Sequence, residues 1–552
     1  MLRNYYKKVT AAYGYTRERQ FLSKVIDIME DQWDRRNVFI IEAPTGYGKT
    51  TITATLSLRA YEEKNKLIIA LPLRTLLEDQ FNKLKTVIND DKILGKRYMH
   101  EHTSPYLIKP ITLTTIDTLS LTMFGIAPED LNKVVRSWDE WTGTLQRTAG
   151  HYIFSWSSVI LSDIVLDEAH LLIDETNSLT YLIALIKHMI KNQQHVILMS
   201  ATIPRILERA INRYLTAYKN RIESIKFQYE DNDNYILDKL KKTYELKITH
   251  LSLDDKYDTI LNWIKEEKLN GLKQVLVIFN TVNDAIRFYS MLDCENKLLI
   301  HSRFSSEDRQ RKYERLLDLN KEDEYIIVGT QTIEAGIDIS STLLITELAP
   351  LNSLIQRFGR FLRYGEKFGR AYIWYDDTLS NRDSGHYKVY QKSLCIKTLD
   401  LLRQNSNVNM HIPYGEDGYK TLINELYENS IGLPSESQIE NMLSIFLDFD
   451  RISNAIELFF NLEGSFVRSS FTIPVKTQDN QSPIPVNYQL FRKLLKNGRV
   501  KYLVSQDGDK KTLDDDSRKV FMYEKNVIKH LYRMNVESFI IDAAYRGRKS
   551  VV

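Results

Sequence analysis

A short segment near the N-terminus has the residue types and spacing of a phosphate-binding loop. Residues 43–50 read APTGYGKT, follow the apolar run 38–41 and lead into a helix-like run. Glycines allow backbone N–H groups to close around phosphate oxygens, a lysine can bind the β- and γ-phosphates, and a hydroxyl can bind Mg²⁺. The N-terminus of the following helix adds a further anion site. The segment predicts a site for a nucleoside triphosphate with Mg²⁺, formed by Thr45, Gly46, Tyr47, Gly48, Lys49, Thr50 and Thr51.

Two adjacent carboxylates, Asp167 and Glu168, follow the apolar run 164–166, where a buried strand is expected to end. At that position one carboxylate can hold Mg²⁺, and its neighbour can orient and deprotonate an attacking water. We assign the metal to Asp167, together with Thr50, and the general base to Glu168. The alternative explanation is an acidic pair that is favoured by a helix dipole. The phosphate-binding loop upstream favours the catalytic explanation.

A small hydroxyl motif, Ser200-Ala201-Thr202, follows the apolar run 196–199. The tripeptide carries no information by itself, but it comes directly after the strand that follows the carboxylates. Ser200 and Thr202 could therefore link the nucleotide site to a second site through short hydrogen bonds.

The segment 356–363, QRFGRFLR, carries Gln356 and two arginines, Arg360 and Arg363, three residues apart. If the segment is helical, both arginines lie on one face. Guanidinium groups can stabilise the charge that develops on a γ-phosphate, with large effects on the rate of hydrolysis. A basic helix end that serves solubility is the alternative, but it does not explain the glutamine and the glycine. We assign catalytic roles to Lys49, Asp167, Glu168, Gln356, Arg360 and Arg363.

Another polar segment, GTQTIEAGIDI at 329–339, follows the apolar run 325–329. Its hydroxyls and the turn at Gly336 suit phosphate contact, and Asp338 could reach a nucleotide ribose or an arginine. With the arginines on one sheet and the phosphate-binding loop on another, an ATP site would be split between two sheets. Such a site would close on binding and open on hydrolysis.

The elements that must position these residues are predicted by short apolar runs that alternate with longer helical patterns over the first 380 residues. The runs are continuous rather than alternating, as expected for parallel strands covered by helices on both faces. We therefore expect an α/β fold with two tandem doubly wound parallel sheets and a mainly helical C-terminal part. The expected boundaries are 1–228, 236–380 and 385–552. The predicted strands are 38–41, 67–71, 164–167 and 196–201 in the first sheet, and 275–279, 298–301, 325–329, 343–347 and 371–375 in the second.

The composition restricts the class of protein. A chain of 552 residues with 43% hydrophobic and 27% charged residues belongs with multidomain globular proteins. The net charge of +3 is too small for polyanion binding by a global field, so any nucleic-acid contact must be local. The two cysteines, Cys294 and Cys395, form no disulfide framework. With no signal sequence and no long apolar run, we expect a cytoplasmic protein that does not contact a membrane.

Two regions leave alternatives open. Residues 125–158 carry Trp138, Trp141, Tyr152, Phe154 and Trp156, which could line a ligand channel or pack against the first core. The basic runs 491–501 and 545–550 could contact backbone phosphates or form solvated faces.

With these motifs in this order, residues 15–380 resemble a superfamily 2 helicase of the DExH class. The resemblance implies that the two doubly wound sheets are RecA-like and that the C-terminal part is an accessory domain. The resemblance implies that Gln20 reads adenine and that Gln356 and His170 couple ATP to strand movement. It also implies two groups of residues that contact the nucleic-acid backbone. The first group is Pro72, Arg74, Thr75, Thr114, Thr115 and Asp117, and the second is Phe279, Asn280, Thr281, His301, Ser302, Arg303, Thr330 and Gln331.

Three stretches are most similar to the CRISPR-associated type I interference helicase: TTIDTL (114–119), VIFNTVNDA with IHSRF (277–285, 300–304), and GTQTIEAGIDI with LIQRFGRFLR (329–339, 354–363). Gly336 stands where those helicases often carry serine. Many of them are fused to an HD-type metal nuclease, but none of the 11 histidines here is followed by aspartate. The resemblance implies a stand-alone helicase subunit with a separate HD nuclease, and a C-terminal domain over the single-strand channel.

The expected function is therefore ATP-dependent translocation on single-stranded DNA, 3′-to-5′ by resemblance, in a type I CRISPR interference system. The partners implied are single-stranded DNA, an RNA-guided effector complex and the nuclease; the cofactors are ATP and Mg²⁺. A DEAH-type RNA helicase and a DNA-repair translocase are the enzymatic alternatives. A nucleotide-gated scaffold is a third alternative, against which the two arginines argue.

Overall fold

The computed structural model of the chain describes all residues except 16–18, 99–100, 140–143, 146–151, 174, 320, 335–337, 381–385, 406, 416, 429–431, 448–451, 463, 468–471, 480–481, 524–526, 543–544, 547–549 and 552. The chain divides into two compact units. Unit 1 comprises Met1–Asp231, Ile431–Val475 and Val486–Asp542. Unit 2 comprises Asn232–Ser430, Lys476–Pro485 and Ala543–Val552.

The N-terminal part of unit 1 is built on an eight-stranded sheet with the order β10-β1-β9-β8-β2-β5-β3-β4. Neighbouring strands are parallel except β3 and β4, which are antiparallel. Its strands, with the short pair β6–β7, are β1 (Val38–Glu42), β2 (Leu67–Leu71), β3 (Leu94–Tyr98), β4 (Glu101–His102), β5 (Ile111–Thr115), β6 (Trp138–Asp139), β7 (Thr144–Leu145), β8 (Asp163–Asp167), β9 (Val196–Ser200) and β10 (Ile222–Lys226). The helices are α1 (Leu2–Ala12), α2 (Gln20–Gln32), α3 (Lys49–Glu63), α4 (Arg74–Lys85), α5 (Ile116–Met123), α6 (Leu131–Ser137), α7 (Tyr152–Ile160), α8 (Thr176–Lys191) and α9 (Arg205–Tyr214).

Unit 2 is built on a six-stranded, wholly parallel sheet with the order β11-β16-β15-β12-β14-β13. The strands, with the hairpin β17–β18, are β11 (Thr243–Leu251), β12 (Gln274–Ile278), β13 (Lys297–Ile300), β14 (Tyr325–Gly329), β15 (Leu343–Glu347), β16 (Phe368–Asp376), β17 (His386–Tyr387) and β18 (Tyr390–Gln391). The helices are α10 (Asn234–Leu240), α11 (Lys256–Leu269), α12 (Val282–Met291), α13 (Ser306–Leu319), α14 (Leu351–Phe358), α15 (Lys392–Gln404) and α16 (Tyr419–Tyr427).

The remaining elements are helical as far as Asn461 and then form a five-stranded sheet with the order β20-β19-β23-β21-β22. They are α17 (Glu436–Leu447), α18 (Ile452–Asn461), β19 (Thr472–Thr477), β20 (Ile484–Asn487), α19 (Tyr488–Lys496), β21 (Val500–Ser505), β22 (Lys510–Thr512), α20 (Asp515–Tyr523), α21 (Val527–Arg533), β23 (Val536–Ile541), β24 (Tyr545–Arg546) and β25 (Ser550–Val551).

The predicted fold class is confirmed: the chain is α/β, with two sheets of mostly parallel strands. All nine predicted strands are present, and every residue of β1, β2, β9, β14 and β15 is buried. This burial explains the continuous apolar runs, because helices cover both faces of such sheets. Among the described residues, no helix is both long and apolar enough to cross a bilayer.

The grouping of the C-terminal residues differs from the expected third domain. Residues as far as 430 belong to unit 2, whereas 431–475 and 486–542 belong to unit 1. The reason is packing of α17 on α8, where Lys187 pairs with Glu440 at 2.7 Å. Phe446 on α17 also packs against Tyr181 and His188 of α8.

The aromatic segment 125–158 supports this packing. Trp156 Nε1 donates to the Phe446 carbonyl at 2.9 Å, and the Trp138 ring lies 5.4 Å from that of Phe460. These two tryptophans therefore pack against the C-terminal helices, which favours a structural role over a channel lining. Phe154 is exposed, and Trp141 lies outside the described residues.

Candidate functional site

The carboxyl ends of three neighbouring strands of unit 1 bring the predicted motifs together. The strands β1, β9 and β8 lie side by side, and Ile41, Met199 and Asp167 form one row across them. The phosphate-binding loop leaves β1, the motif of Ser200 leaves β9, and the carboxylate pair leaves β8. Ligand sites of open α/β sheets form at this edge.

The phosphate-binding loop has a backbone that requires its glycines. Gly46 and Gly48 have φ angles of 76° and 102°, in the left-handed region that favours glycine. A Cβ atom at Gly48 would also lie 3.3 Å from Leu22 Cδ1. Lys49 begins α3, and its Nζ donates to the Ala43 carbonyl at 3.3 Å. The loop thus presents a helix N-terminus and a lysine, the features that bind phosphate.

The other residues that were predicted to contact the nucleotide differ in how deeply they are buried. The Thr45 and Thr50 side chains are half-buried, while that of Thr51 is buried. The Tyr47 ring is wholly buried against Phe21 and Phe227, so it supports the loop from the core, and the ring is not available to a nucleotide. Gln20 begins α2 and is exposed. Gly336 lies outside the described residues.

The two carboxylates are held in place by different partners. Asp167 Oδ1 accepts from the Glu168 backbone N–H at 2.9 Å, and Asp167 Oδ2 accepts from Gln80 Nε2 at 2.6 Å. A carboxylate has about four lone-pair sites, so two remain for a cation. Glu168 has a φ of 52°, a strained value for a residue with a side chain, and such strain clusters at functional sites.

Electrostatics separate the two carboxylates. Burial, reinforced by the neighbouring Glu168 charge, raises the pKa of Asp167. Burial also opposes the charge of Glu168, but the positive charge of Lys49, followed by the proximity of His170, outweighs it and lowers the pKa of Glu168. A cation beside Asp167 would favour its charged form. The site therefore holds Glu168 as a carboxylate and suits Asp167 to a cation.

A chain of short contacts leads from the carboxylates to β9. His170 Nδ1 lies 3.4 Å from Glu168 Oε2 and 3.0 Å from Ser200 Oγ. Ser200 Oγ in turn donates to the Thr202 carbonyl at 2.9 Å and accepts from the Thr202 N–H at 3.2 Å. The structure thus joins the three residues predicted to couple the nucleotide site to a second site.

Several residues of the first group, predicted to contact nucleic acid, form hydrogen bonds within the protein instead. The Thr114 hydroxyl donates to the Arg97 carbonyl at 2.7 Å, and Thr115 caps α5 by accepting from the Thr118 N–H. Asp117 accepts from the Ser465 hydroxyl at 3.3 Å. Pro72 is buried, whereas Arg74 is half-buried with its guanidinium 6.0 Å from the Tyr98 ring; the Thr75 side chain lies outside the described part.

The second group separates into framework and reachable residues. Phe279 is wholly buried in the hydrophobic core beside Phe288 and Trp374. The buried members, with under 3% of their surfaces exposed, are Phe279, Asn280, His301 and Thr330. Their burial therefore argues against the predicted direct contact with a nucleic-acid strand. The members that are at least partly exposed are Thr281, Ser302, Arg303 and Gln331.

The arginine segment is not helical throughout. Helix α14 ends at Phe358, and Leu362 has a φ of 49°, which interrupts the helical spacing of Arg360 and Arg363. Arg360 donates to the Ile333 and Glu334 carbonyls at 3.3 and 3.2 Å. Arg363 pairs with Asp338 at 2.9 Å. The sequence predicts that Asp338 reaches either a nucleotide ribose or an arginine, and here it reaches the arginine. Gln356 is buried, and its Nε2 has no hydrogen-bond partner among the described residues.

The sequence reasoning missed two buried residues that organise these motifs. Gln80, which binds Asp167, lies on α4, the helix that also carries Arg74 and Thr75. Arg357 lies inside QRFGRFLR, and its guanidinium donates to Glu334, Thr346, Asn280 and Tyr390 side chains and to the Glu347 carbonyl. A buried glutamine or arginine gives no periodic signal, but both stand within recognised motifs.

Comparison with known proteins agrees with this geometry. The family model described as DEAD/DEAH box helicase matches residues 23–210. The model described as CRISPR-associated nuclease/helicase Cas3, C-terminal, matches residues 271–366. These ranges contain the phosphate-binding loop and carboxylates in unit 1 and the arginine segment in unit 2.

Similar curated proteins and solved structures carry the same name. A putative CRISPR-associated nuclease/helicase Cas3 of Methanocaldococcus jannaschii is 24% identical over 70% of this chain and 54% of its own length. A CRISPR-associated helicase Cas3 of Thermoproteus tenax is 27% identical over 61% of this chain and 56% of its own. The crystal structure of T. fusca Cas3 superposes with a TM-score of 0.62 and 15% identity, covering 99% of this chain and 70% of that one. Its ATP form gives 0.58 and 16%, covering 91% and 61%.

The chain thus spans a little over half the length of these two curated relatives. The likeness to the solved structures is a likeness of fold. Residues 23–210 thus match the DEAD/DEAH box helicase family, residues 271–366 match the C-terminal part of the CRISPR-associated nuclease/helicase Cas3, and the chain is similar to proteins of that name.

Proposed function

We propose that the chain is an ATP-dependent translocase or helicase on single-stranded DNA that acts in a type I CRISPR interference system. The observation that carries the proposal is the shared edge of β1, β9 and β8, which gathers Lys49, Asp167, Glu168 and Ser200. A phosphate-binding loop beside a carboxylate pair is the arrangement that hydrolyses nucleoside triphosphates.

The residues of this edge have separate tasks. The loop N–H groups and Lys49 hold the triphosphate and fix the γ-phosphate for attack. The Thr50 hydroxyl and the Asp167 carboxylate supply the oxygen ligands that Mg²⁺ prefers. When bound, Mg²⁺ would neutralise charge on the phosphate oxygens. Glu168, held as a carboxylate, orients the attacking water and accepts its proton.

Arginines of unit 2 supply the remaining charge in this proposal. Arg360 and Arg363 act on the charge that grows on the γ-phosphate as the bond breaks. Gln356 and His170 link hydrolysis to strand movement, and His170 is supported by its contacts with Glu168 and Ser200. Gln20 reads the adenine.

Strand contact is proposed for the reachable residues of both groups. In unit 1 these are Arg74 and Asp117, and in unit 2 Thr281, Ser302, Arg303 and Gln331. The buried members act as framework: Asn280, for example, accepts from Arg357 and receives Gln331 Nε2 at its carbonyl at 3.2 Å. Contacts with the backbone of a nucleic-acid strand tolerate any base sequence, as a translocase requires.

The system and the partners follow from the relatives' names. Several are called CRISPR-associated nuclease/helicase, and a CRISPR RNA-guided surveillance complex is among the similar structures. We propose that an RNA-guided complex recruits the chain to the displaced DNA strand, which it moves 3′-to-5′ for a separate HD-type nuclease. R-loop formation is nearly balanced in energy, so ATP is needed for unwinding beyond it.

The decisive experiment compares ATP hydrolysis stimulated by single-stranded DNA and by RNA of equal length and sequence. We expect DNA to raise kcat by about tenfold or more over RNA, and ATP to drive unwinding of forked DNA of one polarity. Stronger stimulation by RNA would favour an RNA helicase. Unwinding of 5′-tailed forks alone would contradict the polarity, and hydrolysis that no strand stimulates would favour a nucleotide-gated scaffold.

Gln80 gives a second prediction, because its amide fixes one oxygen of Asp167. Replacing Gln80 with alanine is expected to lower kcat by about 10- to 100-fold and to raise the Mg²⁺ concentration for half-maximal activity. The matched control is Asp79→Asn, one residue earlier on α4, where the side chain pairs only with Lys83 among the described ion pairs. Equal rates and equal Mg²⁺ dependence in the two variants would contradict this role of Gln80.

A further inference from the structure

Two lysines at the start of unit 2 bind the backbone between the arginines. Lys239 is on α10 and Lys242 follows it; both are buried. Lys242 Nζ donates to the Leu362 carbonyl at 2.5 Å, and Lys239 Nζ donates to the same oxygen at 3.3 Å. Lys242 also donates to the Tyr364 carbonyl. Both lysines therefore hold the segment 360–364, here called the arginine loop.

The two lysines hold the peptide group that joins Leu362 to Arg363. Its carbonyl is that of Leu362, and its N–H is that of Arg363, which donates to Ser340 Oγ at 2.9 Å. A peptide group is planar, so fixing the carbonyl at one end and the N–H at the other fixes its orientation. That orientation fixes the position of the Arg363 Cα atom, from which the side chain leaves the backbone.

This peptide needs such support because Leu362 has a left-handed backbone. The φ of 49° is costly for any residue with a Cβ atom, and it persists only where the surroundings impose it. The Leu362 N–H donates to the Ser341 carbonyl at 2.9 Å, and Ser341 Oγ donates to the Arg360 carbonyl at 3.2 Å. The two serines thus bind the loop at the N–H groups of Leu362 and Arg363 and at the Arg360 carbonyl. The lysines bind it at the carbonyls of Leu362 and Tyr364.

The two lysines meet different charges: Lys242 and Arg363 act on Lys239, opposed by Glu366, whereas the acids Glu366 and Asp238 act on Lys242. Burial, followed by the charges of Lys242 and Arg363, lowers the pKa of Lys239 to about 7. Glu366 Oε2, 4.0 Å from Lys242 Nζ, is the acid closest to this pair among the described ion pairs. An amine keeps N–H groups to donate in either protonation state, so the contact with Leu362 does not depend on the charge. Burial disfavours the charge of both amines, so their place at the Leu362 carbonyl indicates a specific task.

We infer that Lys239 and Lys242 are positioning residues, which orient Arg363 for ATP hydrolysis by holding the Leu362–Arg363 peptide. The inference rests on the proposed function, in which Arg363 acts on the γ-phosphate. It adds the helix that opens unit 2 to the parts on which hydrolysis depends. Neither lysine touches the nucleotide in this account, so their loss affects the rate and leaves ATP binding intact.

The test replaces each lysine with methionine, which has a similar length and no N–H group. We expect Lys242→Met, which removes the donor closer to the Leu362 carbonyl, to lower the strand-stimulated kcat by about tenfold or more, and Lys239→Met to lower it less. The dissociation constant of a fluorescent ATP analogue is expected to change by less than about twofold. The matched control is Lys241→Met, because that side chain is 76% exposed and pairs with Asp238.

A double-mutant cycle with Arg363→Ala separates positioning from a general structural effect. If the lysines act through Arg363, adding Lys242→Met to Arg363→Ala is expected to lower kcat by less than about a further twofold. An additive loss, or a kcat that Lys242→Met and Lys239→Met leave unchanged while Arg363→Ala lowers it, would overturn the inference. If Arg363→Ala itself keeps full activity, the proposed function of that arginine is what fails.

A second variant covers the case in which Lys242→Met does not fold. Ser340→Ala removes the acceptor of the Arg363 N–H, at the other end of the same peptide. It is expected to lower kcat in the same direction and, like the lysine variants, to have no further effect in the Arg363→Ala background. A kcat equal to that of the unmodified chain in folded Ser340→Ala and Lys239→Met would overturn the inference.

Discussion

Replacing Lys49 with alanine is expected to abolish strand-stimulated ATP hydrolysis and to leave binding of single-stranded DNA largely intact. Lys49 begins the helix behind the phosphate-binding loop, and its positive charge also acts on Asp167 and Glu168. Losing one preorganised donor at a developing charge costs roughly 10²- to 10³-fold in kcat. The measurement is phosphate release with and without DNA, paired with a DNA-binding titration in the absence of nucleotide.

The matched control is Lys64→Asn, at the other end of the same helix. Lys64 is exposed and has a φ of 57°, a conformation that asparagine accepts well. Its hydrolysis rate is expected to equal that of the unmodified chain. Strand-stimulated hydrolysis that survives in Lys49→Ala would show that the loop has been assigned wrongly.

The second large effect is expected for Glu168→Gln. The variant keeps the size of the side chain but cannot accept a proton from water, so kcat is expected to fall by roughly 10²- to 10⁴-fold. ATP binding should persist or tighten, because the loop, Lys49 and Asp167 are unchanged and one negative charge is removed. Single-turnover hydrolysis and binding of a fluorescent ATP analogue measure the two effects separately.

Glu175→Gln, at the N-cap of α8, is the control for loss of a carboxylate, and its kcat is expected to stay unchanged. A Glu168→Gln variant that hydrolyses ATP at the rate of this control would assign the base to another group. Asp167, the only other member of the pair, would then be the first candidate, because its pKa is raised by burial.

The strands that the sequence predicts are those that form unbroken apolar runs. LIIAL, YIIVG and LLITE match β2, β14 and β15 residue for residue. Two other strands gave no such signal. The strand β5 reads ITLTT and is wholly buried, but its threonines hide it from a search for apolar runs. The strand β11 lies at the edge of its sheet and is only partly buried.

The site could be predicted where its residues lie next to each other in the sequence. The loop at 45–51 and the pair of Asp167 and Glu168 need only local spacing. Gln80 and the two lysines act on residues 87 or more than 100 positions away, through single hydrogen bonds. Such partners obey no periodicity, so they emerge only when the fold is known. Phe279 shows the converse: a motif residue whose ring belongs to the core.

Because each of the two units is built from separate stretches of the chain, the chain cannot be truncated without affecting them. The polypeptide passes from one unit to the other after residues 231, 430, 475, 485 and 542. Neither unit is a continuous stretch, so a protease that nicks the chain once between residues 232 and 542 leaves each unit with pieces on both fragments. Expression of residues 1–385 alone would strip Phe446 and Glu440 from α8 and uncover an apolar face. Complementary fragments supplied together, rather than a shortened chain, are the way to dissect this protein.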